Sequence, residues 1–276
     1  VRPFSRRALL GALGAAPLAS QTRAAESAAP SPSLFLEDMT SPELARRMAE
    51  GSLIALLPSG GTEQNGPHMI LGKHNLIVRH AARAIAAALG KAVVAPVLAY
   101  VPEGAIEKTG HMAYPGTLTL APATFEQVLE QASRSLQLHG FRLICLFGDH
   151  GASQPSQARV AAALSREWRR HGDRVLDVTD YYGANGQEDW LRGRGLGAAV
   201  QGTHAGLTDT AELLAAAPEG VRTTAVEPFL GEGLGPLGIN GDPRPATAEL
   251  GRSLLALKVD AAARQIRAAA TEMRLL

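Results

Sequence analysis

Short apolar runs alternate with longer stretches of helical spacing, and this alternation constrains the fold of the chain more than any other feature. The strand-like segments are Leu53 to Leu57, Ala92 to Val97, Arg142 to Phe147 and Arg174 to Val178. Strands buried on both faces read as continuous apolar runs of this kind. Between them, Asn75 to Leu89, Thr124 to His139 and Pro155 to His171 repeat apolar residues at helical intervals. A further helix opens at Ser41-Pro42-Glu43, where serine can cap, proline suits the first turn and the acid meets the positive end of the helix dipole. Strands alternating with amphipathic helices imply right-handed βαβ units and a mostly parallel sheet covered on both faces.

Charge and cysteine usage narrow the function classes. Lys plus Arg (27) nearly balance Asp plus Glu (26), and no basic run is interleaved with aromatics, so no nucleic-acid partner is expected. Cys145 is the sole cysteine, which excludes an intrachain disulfide and a thiolate zinc cage. In Leu143-Ile144-Cys145-Leu146-Phe147 it reads as a buried small apolar residue.

The N-terminal segment carries its own signal. Residues 1–24 hold Arg2, Arg6, Arg7 and Arg23 and no acid, followed from Ala8 by an apolar stretch too short to span a bilayer. This layout is that of a cleavable export signal, and Ser5-Arg6-Arg7-Ala8-Leu9-Leu10 looks like the twin-arginine type. A periplasmic or secreted location is therefore expected, with no membrane association after the signal is removed. Without residues 1–24 the chain keeps 23 basic and 26 acidic groups, a net charge of −3. Residues 25–36, rich in Ala, Ser and Pro, read as a linker, and residues 37–276 as one α/β domain.

In open parallel sheets, ligands bind beyond the carboxyl ends of the strands, and the least regular polar sequences fall there. Pro58 to His68 follows the first strand, and Gly148-Asp149-His150-Gly151 follows the third. Two other segments are unlike helix or strand: Gly110 to Thr117, and Gly202 to Gly206 leading into Asp209. These regions, with His74 six residues past the first, contribute Glu63, His68, His74, His111, Asp149, His150, His204 and Asp209. Imidazoles and carboxylates at strand ends, with glycines that let the backbone turn sharply, form a ligand set for zinc, manganese or iron. Singly, each has a plainer reading: His68 can brace a loop, His111 can orient the Tyr114-Pro115-Gly116 turn, and Asp149 can cap a helix.

Five segments together resemble the creatininase (creatinine amidohydrolase) family. Gly61-Thr62-Glu63-Gln64-Asn65-Gly66-Pro67-His68-Met69 is similar to its G-[ST]-x-E-Q-H-G-P-H-L-P motif, which a T-D pair follows. His111-x-x-Tyr114-Pro115-Gly116-Thr117 resembles H-x-x-F-P-G-T, Gly148 to Gly151 resembles N-G-H-G, and His204-Ala205-Gly206 resembles H-A-G-x-x-E-T-S. Gly238 to Pro243, with Ala246-Thr247-Ala248-Glu249, is similar to the C-terminal G-x-x-G-D-P and A-T-A-E. The resemblance implies a three-layer α/β/α fold, a homo-oligomer, commonly a hexamer, and metal-dependent hydrolysis of non-peptide C–N bonds, typically in small cyclic amides.

The departures reshape the expected site. In the family, the Glu and His of the first motif, the Asp of the T-D pair and the His of N-G-H-G bind two metals, with that Asp bridging them. Here Glu63 and His150 are kept, while Asn65 replaces the His, His74 replaces the bridging Asp, and Asp209 replaces the Glu of E-T-S. A neutral imidazole cannot bridge two ions as a carboxylate does. The expectation is one divalent ion per subunit held by Glu63, His74 and His150, with Asp209 as fourth ligand or base and His204 as the proton-transfer residue. Two other readings stand beside it: a related reaction on a lactone or sugar-like carbonyl compound, and an exported protein that binds a metal or small molecule without turnover. Trp190 and Tyr181 or Tyr182 are candidate pocket walls, and Arg192 and Arg194 are candidate contacts for an acidic substrate group.

Overall fold

The computed structural model describes residues 33–222 and 226–276. The expected export signal lies outside the described residues, as does the linker up to residue 32. The rest of the expected linker is packed: Phe35 is buried and bridges Val94, and the Val94 N–H donates to the Leu34 carbonyl at 2.8 Å. Apolar side chains at Leu34 and Phe35 gain more from covering the sheet edge than from solvation, so the folded unit reaches back past residue 37.

Strands β1 (Ile54–Ser59), β2 (Ala92–Val94), β3 (Leu143–Gly148) and β4 (Arg174–Asp177) form one parallel sheet in the order β2-β1-β3-β4. Ile54 lies opposite both Ala92 and Leu143, and Leu143 lies opposite Arg174. Helices α1 (Ser41–Ala49), α2 (Lys73–Leu89), α3 (Pro122–Leu138), α4 (Gln154–Trp168), α5 (Thr179–Tyr182), α6 (Gln187–Arg192), α7 (Ala198–Gln201), α8 (Leu207–Ala216) and α9 (Ala248–Glu272) surround it.

Alternate residues of each strand feed opposite layers, as the two-residue period of a strand requires. Ile54, Leu56, Leu143, Cys145 and Phe147 pack with Val78, Ala82 and Ile85 of α2 and with Ala262 and Ile266 of α9. Ala55, Leu57, Ile144 and Leu146 pack with Phe125 and Leu129 of α3 and with Val160, Leu164 and Trp168 of α4. This is the expected three-layer α/β/α architecture. Cys145 is fully buried and its thiol is pushed up by burial.

Two local readings change. The cap of α1 is Thr40, not Ser41: the Thr40 N–H donates to the Glu43 carboxylate at 2.7 Å in a reciprocal capping box. Helix α2 starts at Lys73, two residues before the expected Asn75, which places Lys73 and His74 in its first turn. Two further helices, α8 and the 25-residue α9, add to the elements expected from apolar spacing.

The strand order fixes where a ligand can reach the sheet. The crossover through α2 covers one face, whereas those through α3 and α4 cover the other, so the winding reverses between β1 and β3. A crevice opens at such a switch point beyond the carboxyl ends of the two strands. Ser59 and Gly148 end β1 and β3 side by side, and the chain leaves them toward Glu63 and His150. No helix among the described residues is long and apolar enough to cross a membrane.

Candidate metal centre

Glu63 sits at the centre of the crevice with its side chain fully buried. Its Oε1 is 2.8 Å from His74 Nε2 and 3.5 Å from His204 Nδ1. Its Oε2 is 3.0 Å from His111 Nδ1 and 3.4 Å from His150 Nε2. One carboxylate thus faces four imidazoles. Burial opposes its ionisation, but His111, His150 and His74 hold the carboxyl well below the usual range.

Two overlapping groups are close enough to share an ion: Glu63, His74 and His150, and Glu63, His111 and His204. The first is the set expected from sequence, and three features suit it to a divalent ion. Its donors are one carboxylate and two imidazoles, the set that zinc, manganese and iron accept. Buried atoms in it, Glu63 Oε2 and His150 Nδ1, have no hydrogen-bond partner. The other nitrogen of His74, Nδ1, lies 2.8 Å from Asp149 Oδ2, the carboxylate–histidine arrangement that orients a metal-ligating ring.

Asp149 is itself fixed from behind. It accepts hydrogen bonds from the Tyr181 hydroxyl at 2.9 Å and from Lys258 Nζ at 2.6 Å, and Lys258 also donates to Glu212 at 3.0 Å. Burial works against its charge, yet Lys258 and His74 hold its carboxyl down to about 2. Asp149 therefore supports His74 and does not cap a helix. Burial and the Lys73 charge press His74 toward the neutral form, but Asp149 and Glu63 win and its pKa rises. For His150, burial is outweighed by Glu103 and Glu63, and the pKa is pushed up to about 10.

His204 is prepared differently. Its Nε2 is 2.8 Å from the Gln64 backbone carbonyl, which can only accept, and 3.0 Å from the Gln64 amide nitrogen, which donates to the Gly238 carbonyl at 2.9 Å; with the carbonyl as its partner, Nε2 carries the proton and Nδ1 keeps the lone pair. Burial and the Lys73 charge lower its pKa to about 3, leaving a neutral acceptor on the cavity wall.

Asp209 does not join either group, because Lys73 lies between. The fully buried Lys73 ammonium is 2.5 Å from Asp209 Oδ2 and 3.9 Å from Glu63 Oε1, and the same Asp209 oxygen accepts the Ala205 N–H at 2.7 Å. Burial opposes its charge, but Lys73 keeps the Asp209 carboxyl far below the ordinary carboxylate range, and the Lys73 ammonium and Ala205 N–H together tie its Oδ2 to the α2–α8 contact. Asn65, at the family's histidine position, braces the loop: its amide donates to the carbonyls of Glu63 and Ile70 at 2.9 and 3.0 Å. His68 also braces, with Nε2 3.0 Å from the Thr210 hydroxyl, and burial lowers its pKa to about 4.

A cavity of about 640 Å³ opens over Glu63, His74, His111, His150 and His204. That volume suits a small molecule. Tyr182 lines it, whereas Tyr181 is buried behind as the Asp149 partner. Trp190, Arg192 and Arg194 do not line it: the Arg194 guanidinium stacks 3.4 Å from the Trp190 ring centroid, and Arg192 pairs with Asp189 on the surface.

Sequence reasoning missed Lys73, Lys258 and Glu103. Two of them carried a signal. A lysine in the first turn works against the helix dipole, and Lys258 interrupts the apolar stripe of Gly251, Leu254, Leu255 and Ala262.

The comparisons agree with this geometry. The family model described as creatinine amidohydrolase matches residues 37–266. A mycofactocin precursor peptide peptidase of Mycolicibacterium smegmatis is 29% identical over 234 residues, covering 78% of this chain and 84% of the relative. A creatinine amidohydrolase of Pseudomonas putida is 32% identical over 120 residues, covering 44% of this chain and 46% of the relative. A solved creatininase of Zn-Zn type superposes with a TM-score of 0.69 at 26% identity, covering 87% of this chain and 99% of that one. With its motifs in order, its α/β/α fold and its switch-point cluster of imidazoles around one glutamate, the chain belongs to the creatininase family.

Proposed function

We propose that the protein is a metal-dependent amidohydrolase that cleaves a non-peptide C–N bond in a small polar molecule such as a cyclic amide. One divalent ion, zinc, manganese or iron, is assigned to Glu63, His74 and His150. The observation that carries this reading is the Asp149–His74–Glu63 chain, two contacts of 2.8 Å that present a supported imidazole and a buried carboxylate to the same point. Such an ion supplies a water of lowered pKa and a Lewis acid for the amide carbonyl.

The protein's own groups do the rest. His204 Nδ1 accepts a proton from the attacking water and returns it to the leaving nitrogen, while its Nε2–H stays on the Gln64 carbonyl. Lys73 holds Asp209 and places a fixed positive charge beside Glu63. One ion is favoured over two because the position of the family's bridging carboxylate holds His74, whose neutral imidazole offers one lone pair and cannot span two ions. Oligomer formation is part of the proposal through family membership, and sedimentation of the purified protein measures it.

The test has two steps. Metal analysis of purified protein is expected to give one tightly held equivalent, and two equivalents would overturn the single-ion assignment. Turnover is then screened on cyclic amides, lactones and short peptides; the last arm is included because one relative is named a peptidase, and turnover confined to it would overturn the non-peptide assignment. Thermal stabilisation by metal without turnover on any arm would favour a binding protein. In His204→Ala, turnover should fall by about 100- to 10,000-fold with metal content unchanged. Loss of the metal would make His204 a ligand.

Export is also proposed, from the Arg6-Arg7 pair and the apolar block that follows it. A fusion of residues 1–32 to a reporter should reach the periplasm and lose that ability in Arg6→Lys/Arg7→Lys.

A further inference from the structure

Beside His150, and outside the residues that line the cavity, lies a carboxylate with no role in the proposed chemistry. The Glu103 side chain is fully buried, and its Oε2 is 2.8 Å from His150 Nε2. Among the described residues this is its only ion-pair contact, and neither oxygen has an aligned hydrogen bond. The segment is anchored locally, since the Glu103 N–H donates to the Thr119 hydroxyl at 3.0 Å. Space for the carboxylate depends on Gly61, where a Cβ would stand 2.5 Å from Glu103 Oε1. Burying a carboxylate without partners costs several kcal/mol, so a position built to hold one implies a partner for it.

We propose that Glu103 is the positioning residue for His150, accepting its Nε2–H and leaving Nδ1 as the nitrogen free to bind an ion. His150 Nε2 faces two carboxylates, Glu103 at 2.8 Å and Glu63 at 3.4 Å. Only the first distance falls in the range of an N–H···O bond. The terminal torsion of histidine is broad, so a modest turn of the ring aligns that bond. His150 Nδ1 is then the orphan, and it is buried without a partner. A single ring nitrogen cannot both give its proton to a carboxylate and bind a cation, so the Glu103 contact decides which nitrogen is available. Each of the two imidazoles thus has a buried carboxylate partner, Asp149 on the His74 nitrogen opposite Glu63 and Glu103 on the His150 nitrogen for which Glu63 also competes.

The part of this inference that concerns the ion rests on the metal assignment above, whereas the hydrogen bond does not, and the experiment separates them. In metal-free protein with labelled histidines, the His150 Nε2–H proton should resonate far downfield. Glu103→Leu should abolish that resonance, and Glu103→Gln, which keeps an oxygen acceptor, should move it upfield without abolishing it. Zinc affinity should fall about 10- to 100-fold in Glu103→Leu and less in Glu103→Gln. In cadmium-loaded wild type, coupling to the metal nucleus should appear at His150 Nδ1. Coupling at Nε2, or an unshifted resonance with unchanged zinc affinity in the variants, would overturn the inference. If Glu103→Leu does not fold, Glu103→Gln decides alone by the same two readouts. A wild type that binds no metal would end the metal assignment, and the proton resonance would still judge Glu103.

Discussion

Glu63 can face four imidazoles because its neighbours remove the alternatives. Lys73 takes the side toward Asp209, Asp149 takes the far nitrogen of His74, and the Gln64 carbonyl takes the far nitrogen of His204. His74 and His204 are each left with one nitrogen turned toward Glu63. The position of Asp149 depends in turn on Lys258, whose ammonium is buried between Asp149 and Glu212 at 2.6 and 3.0 Å. Removing one partner of a buried ionic group is costly because the remaining charges lose their compensation. Lys258→Met should therefore destabilise the protein by about 3–5 kcal/mol in chemical denaturation, with zinc affinity also reduced as Asp149 moves. A destabilisation below about 1 kcal/mol, the range of an exposed ion pair, would show that Lys258 is not part of the buried support.

At the scale of elements, the site is made where helix ends meet strand ends. Helix α2 delivers Lys73 and His74 from its first turn, β3 delivers Asp149 and His150 just past its last residue, and α8 delivers Asp209 and Glu212. Helix α9 holds Lys258 against them by crossing α8 closely. That crossing needs Gly251, where a Cβ would fall 1.8 Å from the Ala211 carbonyl oxygen. Gly251→Ala forces the two helices apart, and the expected cost is about 1–3 kcal/mol, as for other overpacked contacts, with weaker metal binding from the displaced Lys258. Unchanged stability and affinity would show that the α8–α9 spacing does not set the site.

The same elements show what a sequence can and cannot reveal. Strands β1 and β3 were legible because both of their faces are covered, which leaves an unbroken apolar run. Glu63, His74 and His150 were legible because they lie in motifs with glycines at strand ends. The pairing of Asp209 with Lys73 was not legible, because the two lie 136 positions apart and pairings at that separation leave no local pattern. Glu103 was invisible for the same reason: Pro102-Glu103-Gly104 is an ordinary loop until folding sets it beside His150. The start of α2 was placed late because Gly72 offers no capping side chain and Lys73 runs against the helix dipole.

For the whole molecule, the cluster couples metal binding, protonation and stability. Carboxylates outnumber lysines five to two around the centre: Glu63, Glu103, Asp149, Asp209 and Glu212 against Lys73 and Lys258. Without an ion, His74 and His150 supply positive charge by holding protons above their ordinary range, for His150 up to about 10. A group whose pKa is raised by folding adds stability that is fully present below its unfolded pKa, about 6.5 for histidine, and is lost as pH rises through the folded pKa. Metal-free protein should therefore lose thermal stability steadily between about pH 6.5 and 10. A bound divalent ion replaces those protons, so zinc affinity should rise over the same interval and up to about two protons should be released per ion at neutral pH. Zinc-loaded protein should show a much flatter melting profile across that window. Calorimetry in buffers of different ionisation enthalpy counts the protons, and melting curves with and without zinc give the two profiles. Parallel profiles with no proton release would mean that the ion does not bind at His74 and His150.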